Sequence, residues 1–357
     1  MKEIGSEFWL EDNSIKNNVS DHNSFFNIGS DKQFLLSGRT AIDYVLKDIL
    51  KNNKVNTVYF PSYCCQSMLQ PFIDLGINII FYHVCFEKGL KFNINVNQEC
   101  DLFFAMNYFG FTKGRMDKYI EIFKQRNIIV IEDSTHSLLS SKSYNPQSDY
   151  IVASLRKWFP ILSGGLAVKT RKQFEINPKN STLDDMIRIR KSAMVEKNKY
   201  INIDSYTEKQ VFLDKYTIAN ELLNEDYALY NIDKESYEIL QNLNIETIVS
   251  KRKGNARRLY ESLPNNDRFQ LLFSKLEGED CPIFIPIIFY SNTERNSLRR
   301  HLQNNNVYCP VHWPNPTILK EQNTPNIFDY ELSLVADQRY EDTDMQYLIR
   351  RLVEFYE

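Results

Sequence analysis

The sequence predicts an α/β protein: a large domain on a mostly parallel sheet, followed by a smaller C-terminal α+β domain. Three observations predict it. Strand-like and helix-like segments alternate from about residue 35 to 170. The strand-like runs are almost continuously apolar, as in sheets covered on both faces. After about residue 171 the chain turns polar and helix-rich, and a second mixture of strands and helices follows. The expected division is 1–225, including an N-terminal arm, and 226–357.

Each element has its own local reason. TAIDYVLKDIL places Ile42, Val45, Leu46 and Ile49 at helical spacing. NTVYFP is a short strand ending at Pro61, and QSMLQPFIDLG a helix that stops at Gly76 with Pro71 inside it. INIIFYHV and CDLFFAMNYFG are strands, KYIEIFKQR is helical, and NIIVIEDS is a strand with an apolar core. YIVAS and GGLAVKT follow. In the second part, ESYEILQNLNIETIVSKRKGNARRLYESL predicts a long helix or a helix pair. CPIFIPIIFY is a strand, NTERNSLRRHLQNNN a helix, VYCPVHWP a strand or loop, and TDMQYLIRRLVEFY a closing helix.

Composition narrows the function classes. The 357 residues are 43% hydrophobic and 25% charged, ordinary for a globular chain. A net charge of −3 with no long basic run argues against nucleic acid and anionic membranes as partners. The N-terminus lacks an apolar core of signal-peptide length, and no window nears the ~20 apolar residues that span a bilayer. Cys64, Cys65, Cys85, Cys100, Cys281 and Cys309 form no zinc-like CxxC pair. They read as reduced, buried thiols of a cytoplasmic protein, and no metal is expected.

Ligands of such sheets bind beyond the carboxyl ends of the strands. That rule selects Tyr63 after NTVYFP, Tyr108 after CDLFFAMN, Asp133, and the stretch Ser154 to Lys157. Lys157 stands in ASLRKWFPILSGG, an apolar setting where desolvation favours a neutral, nucleophilic amine. The plainer alternative is a packed stem with its head in solvent. Asp133 can face the ligand crevice or cap a turn, and His136, three residues on, can contact a flat ring. Ser37-Gly38-Arg39-Thr40 leads into a helix and reads either as an anion site or as a plain cap. Ser154 can bind the same anion or the backbone. Tyr63 is a stacking residue or core, and Trp158 and Phe159 read as core. His312 and Trp313, between prolines, face a substrate or sit in an ordinary loop.

Taken in order, these pieces resemble the DegT/DnrJ-type family of pyridoxal-phosphate-dependent sugar aminotransferases. The matching segments are SGRTA (37–41), PSY (61–63), NYFG (107–110), IEDSTHS (131–137), SLRKWFPILSGG (154–165) and, more loosely, YCPVHWP (308–314). The resemblance implies the PLP-dependent transferase fold type I. It implies that Lys157 carries pyridoxal 5′-phosphate as a Schiff base and that Asp133 pairs with the ring nitrogen. It also implies that His136 contacts the ring, with Tyr63 as a candidate for stacking on it. Gly38, Arg39, Thr40 and Ser154 would bind the phosphate, and Tyr108, His312 and Trp313 the substrate. Glutamate as amino donor, a keto-sugar nucleotide as acceptor, a role in surface-polysaccharide biosynthesis and a homodimer are further family expectations. The chain departs from the pattern in three places. Ser154 lies three residues before the lysine rather than five, Cys64-Cys65 follows PSY, and no GYNYR-like segment occurs between 171 and 235. Three alternatives stay open. A dehydratase branch carries histidine where this chain has Lys157. The second is another PLP-dependent reaction on a small keto or amino acid. The third is a non-catalytic binding or regulatory protein of the same fold, which loss of Lys157 or Asp133 would have favoured.

Overall fold

In the computed structural model, residues 3–10, 26–203, 207–263, 267–320 and 327–357 are described. They fall into two compact units. One comprises Met1–Ser6, Val55–Ser148 and Ile245–Glu357, the other Glu7–Lys54 and Asp149–Asn244.

Helices create the parallel sheet of the first unit. Gln66–Asp74 joins Thr57–Pro61 to Asn78–Phe86, and Asp117–Gln125 joins Leu102–Met106 to Ile129–Asp133. A crossover of that kind is what a parallel pair requires. Pro71 does lie inside its helix, with its ring buried. The strand order is Ile129–Asp133, Leu102–Met106, Thr57–Pro61, Asn78–Phe86, Leu90–Asn93. Its first three pairings are parallel and the last, a short return, is antiparallel. Leu102–Met106 is buried throughout. Phe103 stacks on Phe123 at 4.1 Å and Phe104 on Phe60 at 4.5 Å, so rings from both strands and helices fill this core. Met106 is in register with Asp133 and Pro61 with Tyr82. The carboxyl ends of these strands therefore share one edge, which carries Tyr63, Tyr108 and Asp133 together.

The same unit holds an antiparallel sheet of Phe269–Leu271, Phe284–Phe289 and Glu331–Val335. Helices Ile245–Ser262 and Asn292–Asn304 pack on it, and Asp342–Tyr356 packs on both helices. VYCPVHWP, expected as a strand or loop, is a strand only over Val307–Tyr308, paired with Ile4–Gly5. Pro310 and Pro314 cannot donate to a ladder, so the rest is loop.

The second unit pairs its strands differently. Asp31–Leu35, Gly165–Lys169 and Tyr150–Ser154 lie side by side, and both pairings are antiparallel. The apolar pattern alone suggested parallel strands. Only residues 155–164 separate the last two, too few for a crossover helix. Helix Gly38–Asn52 packs on these strands. A buried knot fastens it, because Asp48 Oδ2 accepts from both Lys169 Nζ and Tyr150 Oη at 2.8 Å. Helices Asp184–Asn198 and Lys209–Glu225 pair with each other. The arm Glu7–Leu10 binds that pair. Tyr216 Oη donates to the Phe8 carbonyl at 2.8 Å, and the Leu10 amide donates to the Met194 carbonyl at 3.4 Å. Among the described residues, no helix is long and apolar enough to cross a membrane.

Candidate active site

In the first unit, alternation along a strand separates two neighbouring carboxylates. Successive side chains point to opposite faces, so Glu132 and Asp133 serve different surroundings. Glu132 is fully buried. It accepts from Asn107 Nδ2 at 2.8 Å, the Asn145 amide at 2.8 Å and Ser148 Oγ at 2.6 Å. Burial pushes its carboxyl up to about 7, against the pull of those donors and of Arg115. It staples the loop that follows Asp133. Asp133, 3% exposed, accepts from the Thr135 amide at 2.7 Å, which fixes the turn into His136. The turn-forming role and a ligand-facing role are therefore compatible for this residue.

His136, Tyr63, Tyr108, His312 and Trp313 come together. His136 stacks on Trp313, with centroids 5.5 Å apart and planes 24° apart, and His312 lies edge-on at 5.6 Å. Its Nδ1 accepts from the Phe109 amide at 3.3 Å. Tyr63 packs against Trp313 at 5.0 Å and Phe328 at 5.2 Å, and stacks on Tyr108 at 5.5 Å. Burial raises its phenol well above the usual range, and among the described residues its hydroxyl has no hydrogen-bond partner. Tyr108 Oη donates to the Tyr63 carbonyl at 2.6 Å. Two residues missed in the sequence hold the His312–Trp313 loop. Glu331 Oε2 accepts from the His312 amide at 2.6 Å, Ser333 Oγ lies 2.8 Å from His312 Nδ1, and Ser333 donates to Glu331. Glu331 and Ser333 share a face of their strand, but nothing local links them to position 312.

In the second unit, Lys157 ends the short turn Leu155–Lys157 that follows the strand Tyr150–Ser154. Trp158 and Phe159 are fully buried, as expected of core, whereas Lys157 is partly exposed. The apolar setting thus belongs to its neighbours. Glycines bring the other candidates close. A Cβ on Gly38 would fall 2.8 Å from that of Ser154, and one on Gly165 2.0 Å from the Ser37 carbonyl oxygen. The start of helix Gly38–Asn52 is therefore pressed onto the end of the strand that carries Ser154. Ser37 caps it, accepting from the Thr40 amide at 3.1 Å and sharing a hydrogen bond with Thr40 Oγ1 at 2.9 Å. Arg39 engages the far end of another helix. It donates to Asn224 Oδ1 at 2.8 Å and lies 5.2 Å from the Tyr227 ring centroid.

No family model matches the sequence, and no curated protein matches it. Solved structures do. PseC of Helicobacter pylori, an aminotransferase involved in pseudoaminic acid biosynthesis, is 12% identical with a TM-score of 0.68. The match covers 99% of each chain. The fold is that of the sugar aminotransferases. A DegT/DnrJ-type aminotransferase from Brucella abortus is 14% identical with a TM-score of 0.61, over 98% of this chain and 91% of that one. A candidate sugar aminotransferase from Streptococcus pneumoniae, solved in a PLP form and a PMP form, matches at 14% and 15% identity. The PLP form has a TM-score of 0.62, over 98% of this chain and 92% of that one. The expected PLP-dependent fold type I is therefore present, over nearly the whole length.

Proposed function

We propose that this chain is a pyridoxal-phosphate-dependent aminotransferase that aminates a keto-sugar nucleotide with glutamate as donor. One observation carries the reading. On a fold shared with sugar aminotransferases, an acid and an amine, Asp133 and Lys157, each stand at or just past the carboxyl end of a buried strand. The proposal includes a large domain to residue 225, a small domain over 226–357, a homodimer and a cytoplasmic location.

The residues fit the cofactor. The close approach of Gly38 to Ser154 leaves the first helical turn without a side chain there, as a phosphate cradle needs. Asp133 is a buried carboxylate of the kind that holds a ring nitrogen protonated. Gly38, Thr40 and Ser154 would hold the phosphate with Arg39 beside them, and His136 would contact the ring, with Tyr63 packed behind. When bound, pyridoxal phosphate supplies an electron sink for the substrate Cα. Lys157 Nζ takes the proton from Cα and returns it. Tyr108, His312 and Trp313 would shape the acceptor's place.

Purified protein should absorb in the visible range, and borohydride should fix the cofactor's mass on Lys157. A protein that stays colourless with added pyridoxal phosphate, or a label on another residue, would overturn the reading. Coupled assays with keto-sugar nucleotides and with small keto acids decide the substrate. Turnover of the small keto acids alone would transfer the assignment to the second reaction class.

A further inference from the structure

On the strand Glu331–Val335, Glu331 and Ser333 stand two residues apart and share a face. Both are fully buried, and both reach the loop that carries His312, itself 6% exposed. The Ser333 amide donates to the Pro310 carbonyl at 2.9 Å, and Glu331 Oε2 accepts from the His312 amide at 2.6 Å. Strand and loop are therefore tied at two points of the backbone. The His312 ring is held from the same strand, with Nδ1 2.8 Å from Ser333 Oγ.

The direction of these hydrogen bonds fixes where the imidazole proton sits. An ionised carboxylate only accepts. Glu331 accepts from the His312 amide through one oxygen and from the Ser333 hydroxyl through the other. A serine hydroxyl has one proton to give, and Ser333 gives its own to Glu331. Toward His312 Nδ1, Ser333 Oγ can then only accept, so Nδ1 carries a proton in both the neutral and the charged ring. Nε2 holds the lone pair of the neutral ring and takes the second proton on ionisation. The reverse chain, with Ser333 donating to Nδ1, needs a protonated Glu331. Arg295, whose Nη1 donates to the Glu331 carbonyl at 3.3 Å, brings a cation to the buried carboxylate, the partner that a buried anion needs. Other titratable groups about the cluster are His136, 5.6 Å from His312 between ring centroids, and Tyr63 and Cys309, within electrostatic reach of Glu331. Burial raises the Tyr63 phenol and the Cys309 thiol, so both stay protonated at neutral pH.

We propose that Glu331 and Ser333 are positioning residues that set the tautomer of His312, with the proton on Nδ1 and the lone pair on Nε2. Its use rests on the aminotransferase reading: Nε2 is the atom through which His312 accepts a hydrogen bond from a hydroxyl of the acceptor sugar. A sugar is rich in such donors. The carboxylate and ketone oxygens of a simple keto acid only accept, so the same tautomer selects against it.

The experiment is nitrogen-15 NMR of the imidazole rings in the full-length protein labelled at histidine, above the pH range in which imidazole titrates. The chain has five histidines, and His312→Gln identifies the signals of the one in question. Wild-type His312 should show a protonated Nδ1 and an unprotonated Nε2. Ser333→Ala removes the acceptor and should move the proton wholly or partly to Nε2, while Ser333→Thr keeps the hydroxyl and the wild-type pattern. A wild-type His312 protonated on Nε2, or an Nδ1–H signal untouched by Ser333→Ala, overturns the proposal. Circular dichroism and Tm check that the variants fold, and the wild-type spectrum alone already decides the tautomer. With a keto-sugar nucleotide as acceptor, Ser333→Ala should raise KM about 3- to 10-fold, more than it lowers kcat. An unchanged KM beside a shifted tautomer removes Nε2 from the acceptor. A protein with no visible band and no turnover fails the aminotransferase reading, and the NMR result still decides the tautomer.

Discussion

The surroundings of His136 and those of Lys157 solve opposite problems. Around His136 the rings are packed together, the nearby carboxylates are engaged by named donors, and exposure is close to zero. Lys157 ends a short turn after a strand and is partly exposed, while Trp158 and Phe159 beside it are buried. A carboxylate that must hold one geometry is served by burial and short hydrogen bonds. On the proposed function, the amine of Lys157 would have to leave and return to a reacting carbon, which partial exposure suits. On that function, one reaction would ask for a fixed geometry in one place and an accessible amine in the other.

Removing the amine should give the largest effect. Lys157→Ala is expected to lower turnover by about 10²- to 10⁴-fold, the range for a lost acid–base group. The Tm should hardly move, because the side chain is not core. A large fall in Tm would mean that Lys157 belongs with the rigid residues after all. Asp133→Asn should come next. It keeps the shape but loses a charge-assisted hydrogen bond, about 10- to 100-fold in turnover. Weaker retention of the cofactor, read from the visible band during dialysis, should accompany the loss. Unchanged retention would remove Asp133 from the ring.

Glu132, one residue earlier, should affect stability rather than chemistry. Its carboxyl titrates at about 7 in the fold against an ordinary 4.5. Between those values the folded form holds a proton that the unfolded chain has released. Stability should therefore fall as pH rises through that window, by at most ~1.4 kcal/mol per unit. Glu132→Gln cannot titrate and should lose that slope. Urea midpoints at pH 5, 6, 7 and 8 for both proteins read it directly. Parallel curves would mean that Glu132 is ionised throughout.

How much of this was legible in the sequence depends on the range of the interaction. Alternating segments and apolar runs revealed the parallel strands and their carboxyl ends, because periodicity is local. The strand-end residues Tyr63, Tyr108 and Asp133 followed from that alone, and His136 from its place three residues after Asp133. The antiparallel pairing of Tyr150–Ser154 with Gly165–Lys169 was implicit in a short connection, yet the apolar pattern concealed it. Contacts between distant segments were out of reach. Nothing local tells that Arg39 turns to Asn224, that Glu331 fixes His312, or that Glu7 meets Arg190.

The smallest effect tests whether the packed cluster is as rigid as its geometry implies. Trp313 stacks on His136 and touches Tyr63, and such aromatic pairs contribute about 0.5–1.5 kcal/mol beyond their buried area. Trp313→Phe keeps an aromatic ring and gives up part of that contact, so a loss of about 1 kcal/mol is expected. A single substitution cannot tell stacking from volume. Combining it with His136→Leu in a double-mutant cycle can, because volume lost at separate places adds while a broken stack is counted once. A coupling of about 0.5 kcal/mol or more from urea unfolding means that the pair is formed in solution. Strict additivity means that the two rings move independently, and the packed cluster would then be less rigid than its geometry implies.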